Sequence, residues 1–190
     1  MKTIFLVATL LLLASMSSQA QKKDKTPKTI TPPGTLSFIA ESNLYKANAS
    51  FKEWRFTKLS IPKEGLEGLK GTVEVLTSSV VERTIRVSND LKTEPYFDSK
   101  SYPKATAKIL EVKKIEGQDK KYVAKIELKI KKYKKVVDSE FELLNDTQPY
   151  QIKGEINVLK EDFQVGMGNN MGTIKSEVKI LYETELKLSE

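Results

Sequence analysis

Cysteine and histidine are both missing from this sequence. Without cysteine there is no disulfide, no thiol nucleophile, no thiolate metal site and no cysteine-linked lipid anchor. Without histidine there is no Ser-His triad, no Cys-His pair and no imidazole metal ligand. An enzyme built on this chain would have to work with carboxylates, lysine or tyrosine. Long apolar runs are scarce too. The longest, Ile4 to Ala14, is too short to span a bilayer comfortably as a permanent helix.

That run has a specific setting. It follows Lys2 and is followed by Ser15 to Ala20, ending Ser18-Gln19-Ala20. A charged start, a short apolar stretch and a small-residue site read as a signal peptide over residues 1–20, with cleavage after Ala20. The expected product is soluble and exported, periplasmic or secreted. Residues 21–34, QKKDKTPKTITPPG, are rich in Lys, Thr and Pro and read as a flexible tether. The remainder, 35–188, has the length of one domain.

Within 35–188 the dominant pattern is alternation. TLSFIAES (35–42) puts Leu36, Phe38 and Ala40 on one face. KGTVEVLTSS (70–79) sets Val73 and Val75 against Thr72 and Glu74. KATAKILEV (104–112) groups Ala105, Ala107 and Ile109. KYVAKIELKIK (121–131) places Tyr122, Ala124, Ile126, Leu128 and Ile130 opposite Lys125, Glu127, Lys129 and Lys131. VVDSEFELL (136–144) aligns Val137, Phe141 and Leu143. QIKGEINVLK (151–160) aligns Ile152, Ile156 and Val158, and SEVKILYETEL (176–186) aligns Val178, Ile180 and Tyr182. Period two with one charged face means half-buried antiparallel strands. With a strand near Trp54–Ile61 the expected count is about eight. Such strands suit a barrel of a size that either fills with side chains or holds one small ligand. Two stretches read as short helices: 42–50, from the spacing of Leu44, Ala47, Phe51 and Trp54 behind a Ser42 cap, and 82–92, from Val81, Ile85, Ser88 and Leu91.

One irregular segment stands out. LKTEPYFDSKSYPKA (91–105) carries two prolines, an Asp-Ser turn and the large side chains Leu91, Tyr96, Phe97 and Tyr102. Leu91-Lys92-Thr93, Tyr96-Phe97-Asp98 and Tyr102-Pro103-Lys104-Ala105 resemble the helix-to-strand link of the YceI-like family. LKIKKYKKVVDSEF (128–141) is similar to that family's hairpin, NVLKEDFQVGMG (157–168) to its strand-then-Asp-Phe segment, and SEVKILYETEL to its last strand. The matches span about Gly34 to Leu186. The sequence departs from the pattern at Lys132 and Val136, which replace the hairpin glycine and proline. Val87-Ser88 replaces an Arg-Asp pair, and Ala107 an aromatic.

The resemblance implies an all-β fold: a single eight-stranded antiparallel lipocalin-like barrel with one or two short helices and a long apolar cavity. Some members hold polyisoprenoid chains. Residues expected to line the lumen are Phe38, Val73, Val75, Ala107, Ile109, Ala124, Ile126, Leu128, Ile130, Phe141, Ile156, Val178, Ile180 and Tyr182. Leu91, Tyr96, Phe97 and Met167 are expected at the entrance or as a cover. No catalytic residue, no metal ligand and no required cofactor is expected. The expected ligand is an isoprenoid or a fatty-acid-like chain. The expected function is an exported, non-enzymatic binding protein; the alternative is a structural or interaction protein of the cell envelope with a side-chain-filled barrel.

Other motifs read blandly. The lysines at 129, 131, 132, 134 and 135 around Tyr133 read as a solvated hairpin tip, not a nucleic-acid surface, although brief contact with a membrane surface is compatible with them. GMGNNMG (166–172) lacks the Gly-Lys-Ser/Thr ending of a phosphate loop and reads as a hairpin loop. Glu140/Glu142 and Glu183/Glu185 lie on polar strand faces, unsuited to an acid-base dyad.

Overall fold

A computed structural model describes residues 33–167 and 174–187. The proposed signal peptide, most of the tether and most of GMGNNMG lie outside the described residues. The described residues form ten strands: β1 (Gly34–Ser42), β2 (Lys46–Phe51), β3 (Trp54–Ser60), β4 (Lys70–Leu76), β5 (Val80–Val81), β6 (Lys104–Lys114), β7 (Lys121–Ile130), β8 (Tyr133–Leu143), β9 (Tyr150–Leu159) and β10 (Ile174–Leu186). One helix, α1 (Ile85–Asp90), and two 3-10 turns, Thr77–Ser79 and Lys160–Phe163, complete it. All pairings are antiparallel, in the order β3-β4-β6-β7-β8-β9-β10-β1-β2-β5.

Ten strands replace the expected eight for a geometric reason. β2 and β3 are one chain path broken at Lys52-Glu53, and β4 and β5 are one path broken at Thr77–Ser79. The two paths bend together. Lys52 N donates to Ser79 O at 3.1 Å and Leu76 N to Glu53 O at 3.0 Å. The buried Ser79 hydroxyl accepts from Glu53 N at 3.0 Å and donates to Leu76 O at 2.7 Å. The bent pair thus joins the two ends of the strand order, and the sheet curls around a lumen.

The helix expected over 42–50 is a turn and a strand instead. Ser42 is a cap, but of a turn: its Oγ accepts from Leu44 N at 3.3 Å and Tyr45 N at 2.9 Å. Beyond it KANASF alternates, with Ala47, Ala49 and Phe51 inward and Lys46 and Asn48 outward. α1 does form where expected, but its buried side is Ser88 and the adjoining Leu91, while Ile85 points to solvent.

Apolar residues of β6 to β10 form one core group, including Tyr122, Ile126, Phe141, Ile156 and Leu186. A second group, Phe38, Ala49, Val80, Leu91 and Phe97, packs beneath α1 beside one end of the lumen. β6 shows how a bulge alters the face: register slips between Ile109 and Glu111, so Val112 turns inward with Ala107 and Ile109.

Candidate functional site

The inward faces enclose a cavity of about 700 Å³. That volume is within the usual range for small-molecule sites. On β10 the lining runs from Ile174 to Leu186, twelve residue steps, a contour of roughly 40 Å at strand rise. The site is therefore elongated, and its lumen is not filled by side chains.

Phe38, Val73, Val75, Ala107, Ile109, Ala124, Ile126, Leu128, Ile130, Phe141, Ile156, Val178, Ile180 and Tyr182 all sit on the cavity wall. They come from β1, β4, β6, β7, β8, β9 and β10, so alternation alone brings them together. Small residues matter as much as large ones. Ala105, Ala107 and Ala124 leave space between Val75, Ile109 and Leu128 that larger side chains would occupy.

Leu91, Tyr96 and Phe97 also line the cavity, under the end formed by α1. Phe97 meets Phe38 and Phe51 edge-on, at 5.7 and 5.4 Å between ring centres. Asp98, at φ 46°, turns the chain away after these rings. Phe97 N donates to Leu91 O at 3.1 Å, and Asp98 N to Thr93 O at 2.9 Å. Tyr102-Pro103 is fastened by Thr77, whose Oγ1 donates to Tyr102 O at 2.7 Å and whose N donates to Pro103 O at 3.0 Å. The segment is thus a built cover. Met167 is not itself on the wall: it is 41% exposed, next in the chain to the lining residue Gly166, with its sulfur 3.9 Å from Nζ of Lys160, which also lines the cavity.

The lysine run does not act as one patch. Lys131 turns back to the cover, donating to Gln164 O at 2.8 Å and Glu94 O at 3.1 Å. Partial burial lowers its pKa, and the carboxylates of Asp98 and Glu94 offset part of that. Lys134 pairs with Glu127 at 3.2 Å and Lys135 with Asp162 at 2.8 Å. Glu140 and Glu142 face outward, as the alternation requires.

A hydroxyl pair borders the apolar lumen at mid-wall. Tyr182, Gly154 and Phe141 are register partners across β10, β9 and β8. A Cβ at Gly154 would stand 2.4 Å from the Tyr182 hydroxyl and 2.6 Å from Phe141 Cβ, so glycine lets the tyrosine lie across it. The Tyr182 hydroxyl is 2.8 Å from Ser139 Oγ, which donates to Glu155 O at 3.0 Å. Either hydroxyl can be the donor in this pair, and a proton turned from Ser139 toward the tyrosine oxygen favours the phenolate.

Burial pushes Tyr182 up to about 12, with the Ser139 hydrogen bond opposing. A folded-state pKa above the unfolded value of 10.0 stabilises the fold fully below pH 10, and that stability is lost as pH rises through about 12. Two units correspond to roughly 3 kcal/mol. In a spectrophotometric alkaline titration the last phenolate should therefore appear near unfolding, and Tyr182→Phe should remove that late phase. A Tyr182 phenolate forming near pH 10 in folded protein would contradict the burial.

Sequence reading missed several wall residues. Ala47, Phe51 and Trp54 fall at helical spacing because the Lys52-Glu53 corner shifts their phase. The alternation of KANASF was the available signal. Val112 was hidden by the β6 bulge. Trp54, 2% exposed, begins β3 just past the corner and packs edge-on to Phe56 at 6.0 Å.

The family model for the YceI-like domain matches residues 33–186. Burkholderia cenocepacia BcnA superposes with a TM-score of 0.72 at 17% identity, over 81% of this chain and 96% of that one. A Campylobacter jejuni YCEI protein gives 0.63 at 19% identity, over 79% and 88%. A polyisoprenoid binding domain from Saccharophagus degradans, implicated in plant cell wall breakdown, gives 0.59 at 13% identity, over 80% and 94%. At these identities the likeness is one of fold. No curated protein matches the chain.

Proposed function

The chain belongs to the YceI-like family, and from that premise we propose that it is an exported, non-enzymatic carrier that holds one isoprenoid or acyl chain in its lumen. The observation that carries this reading is the cavity itself: elongated, about 700 Å³, and walled almost wholly by aliphatic and aromatic side chains. Burial of a hydrocarbon chain there gains about 0.8 kcal/mol per methylene without demanding a polar partner. The fold shared with a polyisoprenoid binding domain supports the ligand class. Export rests on the segment 1–20, with its charged start, apolar stretch and small-residue end. No helix among the described residues is long and apolar enough to cross a membrane. Capture is by non-covalent apolar burial, in the periplasm or outside the cell.

The sequence contains one tryptophan, and it lines the cavity. Delipidated protein titrated with a dibrominated fatty acid should therefore show saturable, one-to-one quenching of Trp54 emission. Ala107→Phe, which puts a ring into the lumen beside Val73 and Leu128, should abolish the quenching while the fold persists. If the ligand-free variant keeps or raises its Tm, the added ring has filled empty space; a drop worth roughly 1–3 kcal/mol would mean a lumen already filled. Absence of quenching in delipidated wild type would refute an open lumen that takes acyl chains.

A further inference from the structure

Seven large apolar side chains are conspicuously exposed among the described residues. Five lie between 38% and 58% exposed, which is ordinary for a soluble surface. The other two are Leu44 at 86% and Ile85 at 79%. They belong to different elements, the β1–β2 turn and the first residue of α1, yet both stand at the same end of the molecule. Tyr45 Oη donates to Glu82 Oε1 at 2.6 Å, and Glu82 Oε2 accepts from Thr84 N at 2.6 Å, so the turn and the start of α1 are latched together.

This end is where the cavity opens. The exposed residues of its lining are Leu44, Tyr45 and Thr84, whereas at the opposite end Leu69, Ile152 and Leu186 are buried. Leu44 is also held in place. The Ser42 turn that presents it is closed by Ser42 N donating to Tyr45 O at 2.7 Å. We infer that this rim docks on a lipid bilayer, Leu44 and Ile85 entering the interface on either side of the opening, so that a chain passes between bilayer and lumen without crossing water.

Three features favour a bilayer as the occupant. The exposed apolar surface is continuous with the cavity wall through Leu44 and Tyr45, so whatever covers the rim faces the lumen. Tyrosine and aliphatic side chains together suit the headgroup boundary. Arg83 and Arg86 flank Ile85 and are exposed, positioned for anionic headgroups. Charge plays the smaller part, because Lys46 and Lys175 are both engaged by Glu41, at 3.0 and 2.9 Å, and Arg86 faces Asp90 at 4.0 Å. The inference rests on the carrier reading but is tested separately from it.

The absence of cysteine makes the test site-specific. Leu44→Cys, Ile85→Cys and Val136→Cys are each labelled with a polarity-sensitive dye in the full exported chain. Val136, outward on β8, is the control. Adding vesicles of phosphatidylcholine and phosphatidylglycerol should blue-shift the dye at 44 and 85 and leave it unchanged at 136. Ile85→Asp should weaken vesicle partition about tenfold, with the amount of lipid extracted from the purified protein unchanged. No shift at 44 and 85, or an equal shift at 136, overturns the inference. So does a lipid-free dimer that Ile85→Asp converts to monomer, because the rim would then be covered by a second copy. Docking without any extractable ligand would sustain this inference and sink the carrier reading.

Discussion

Ile126→Asp is expected to abolish lipid retention and to destabilise the fold by about 3–5 kcal/mol at neutral pH. Ile126 sits mid-strand on β7 facing the cavity, and its register partners, Ile109 and Val137, are both apolar and offer a carboxylate no partner. Burial raises the pKa of such a group, so its penalty grows as pH rises through the ordinary carboxylate range and shrinks in acid. Urea unfolding at pH 4 and pH 7 should show the variant recovering part of its stability at the lower pH. Lys129→Asp, on the opposite face of the same strand and across from Lys134, should change stability by less than about 0.5 kcal/mol. Equal losses from both substitutions would mean that the two faces of β7 are assigned wrongly.

Trp54→Ala should cost about 3–5 kcal/mol, a large share of the stability of a single domain. The indole is among the largest fully buried side chains, and it anchors the corner where β2 passes into β3. Its register partner Val75 and the edge-packed Phe56 would face a void. The indole Nε1 is buried without a hydrogen-bond partner. Trp54→Phe therefore removes an unsatisfied donor along with part of the volume and should cost distinctly less. Chemical denaturation of the two variants, followed by far-ultraviolet circular dichroism, separates them. Equal losses would mean that a phenyl ring recovers none of the packing and would contradict the assignment of the effect to filled volume.

What the sequence made legible follows from how each element is built. β7 and β10 were plain because ten or more residues keep one period and carry charge on the outer face. The lumen wall could be named residue by residue because alternation fixes the face once one neighbour is placed. Alternation fails where the backbone inserts or turns. The bulge after Ile109 hid Val112, and the corner at Lys52-Glu53 made Phe51 and Trp54 look helical. β5 has two residues, too few to show any period. Ser42 misled because a serine hydroxyl caps a turn by the same hydrogen bonds with which it caps a helix. Ile85 misled in the opposite sense: helical spacing assigned it to the buried side, and it lies at the exposed rim.

The cover illustrates a second limit. LKTEPYFDSKSYPKA announced buriable rings on irregular chain, but no pattern specified what would hold them. The holding groups come from distant positions: Thr77 at the corner, Lys131 at a hairpin tip and Gly166, whose N donates to Pro95 O at 2.5 Å. Lys131 occupies a left-handed conformation, φ 54°, at the β7–β8 turn, and its ammonium spans from the cover to the Lys160–Phe163 turn.

The carrier reading stands or falls on whether the lumen leaves the cell occupied. Protein purified without detergent from the exported fraction would be weighed by native mass spectrometry, and the same sample extracted with organic solvent. A carrier gives one apolar chain molecule per protein, released on denaturation and recovered in the extract. A bare polypeptide mass and an empty extract, unchanged after incubation with isoprenoid and acyl lipids, would contradict it.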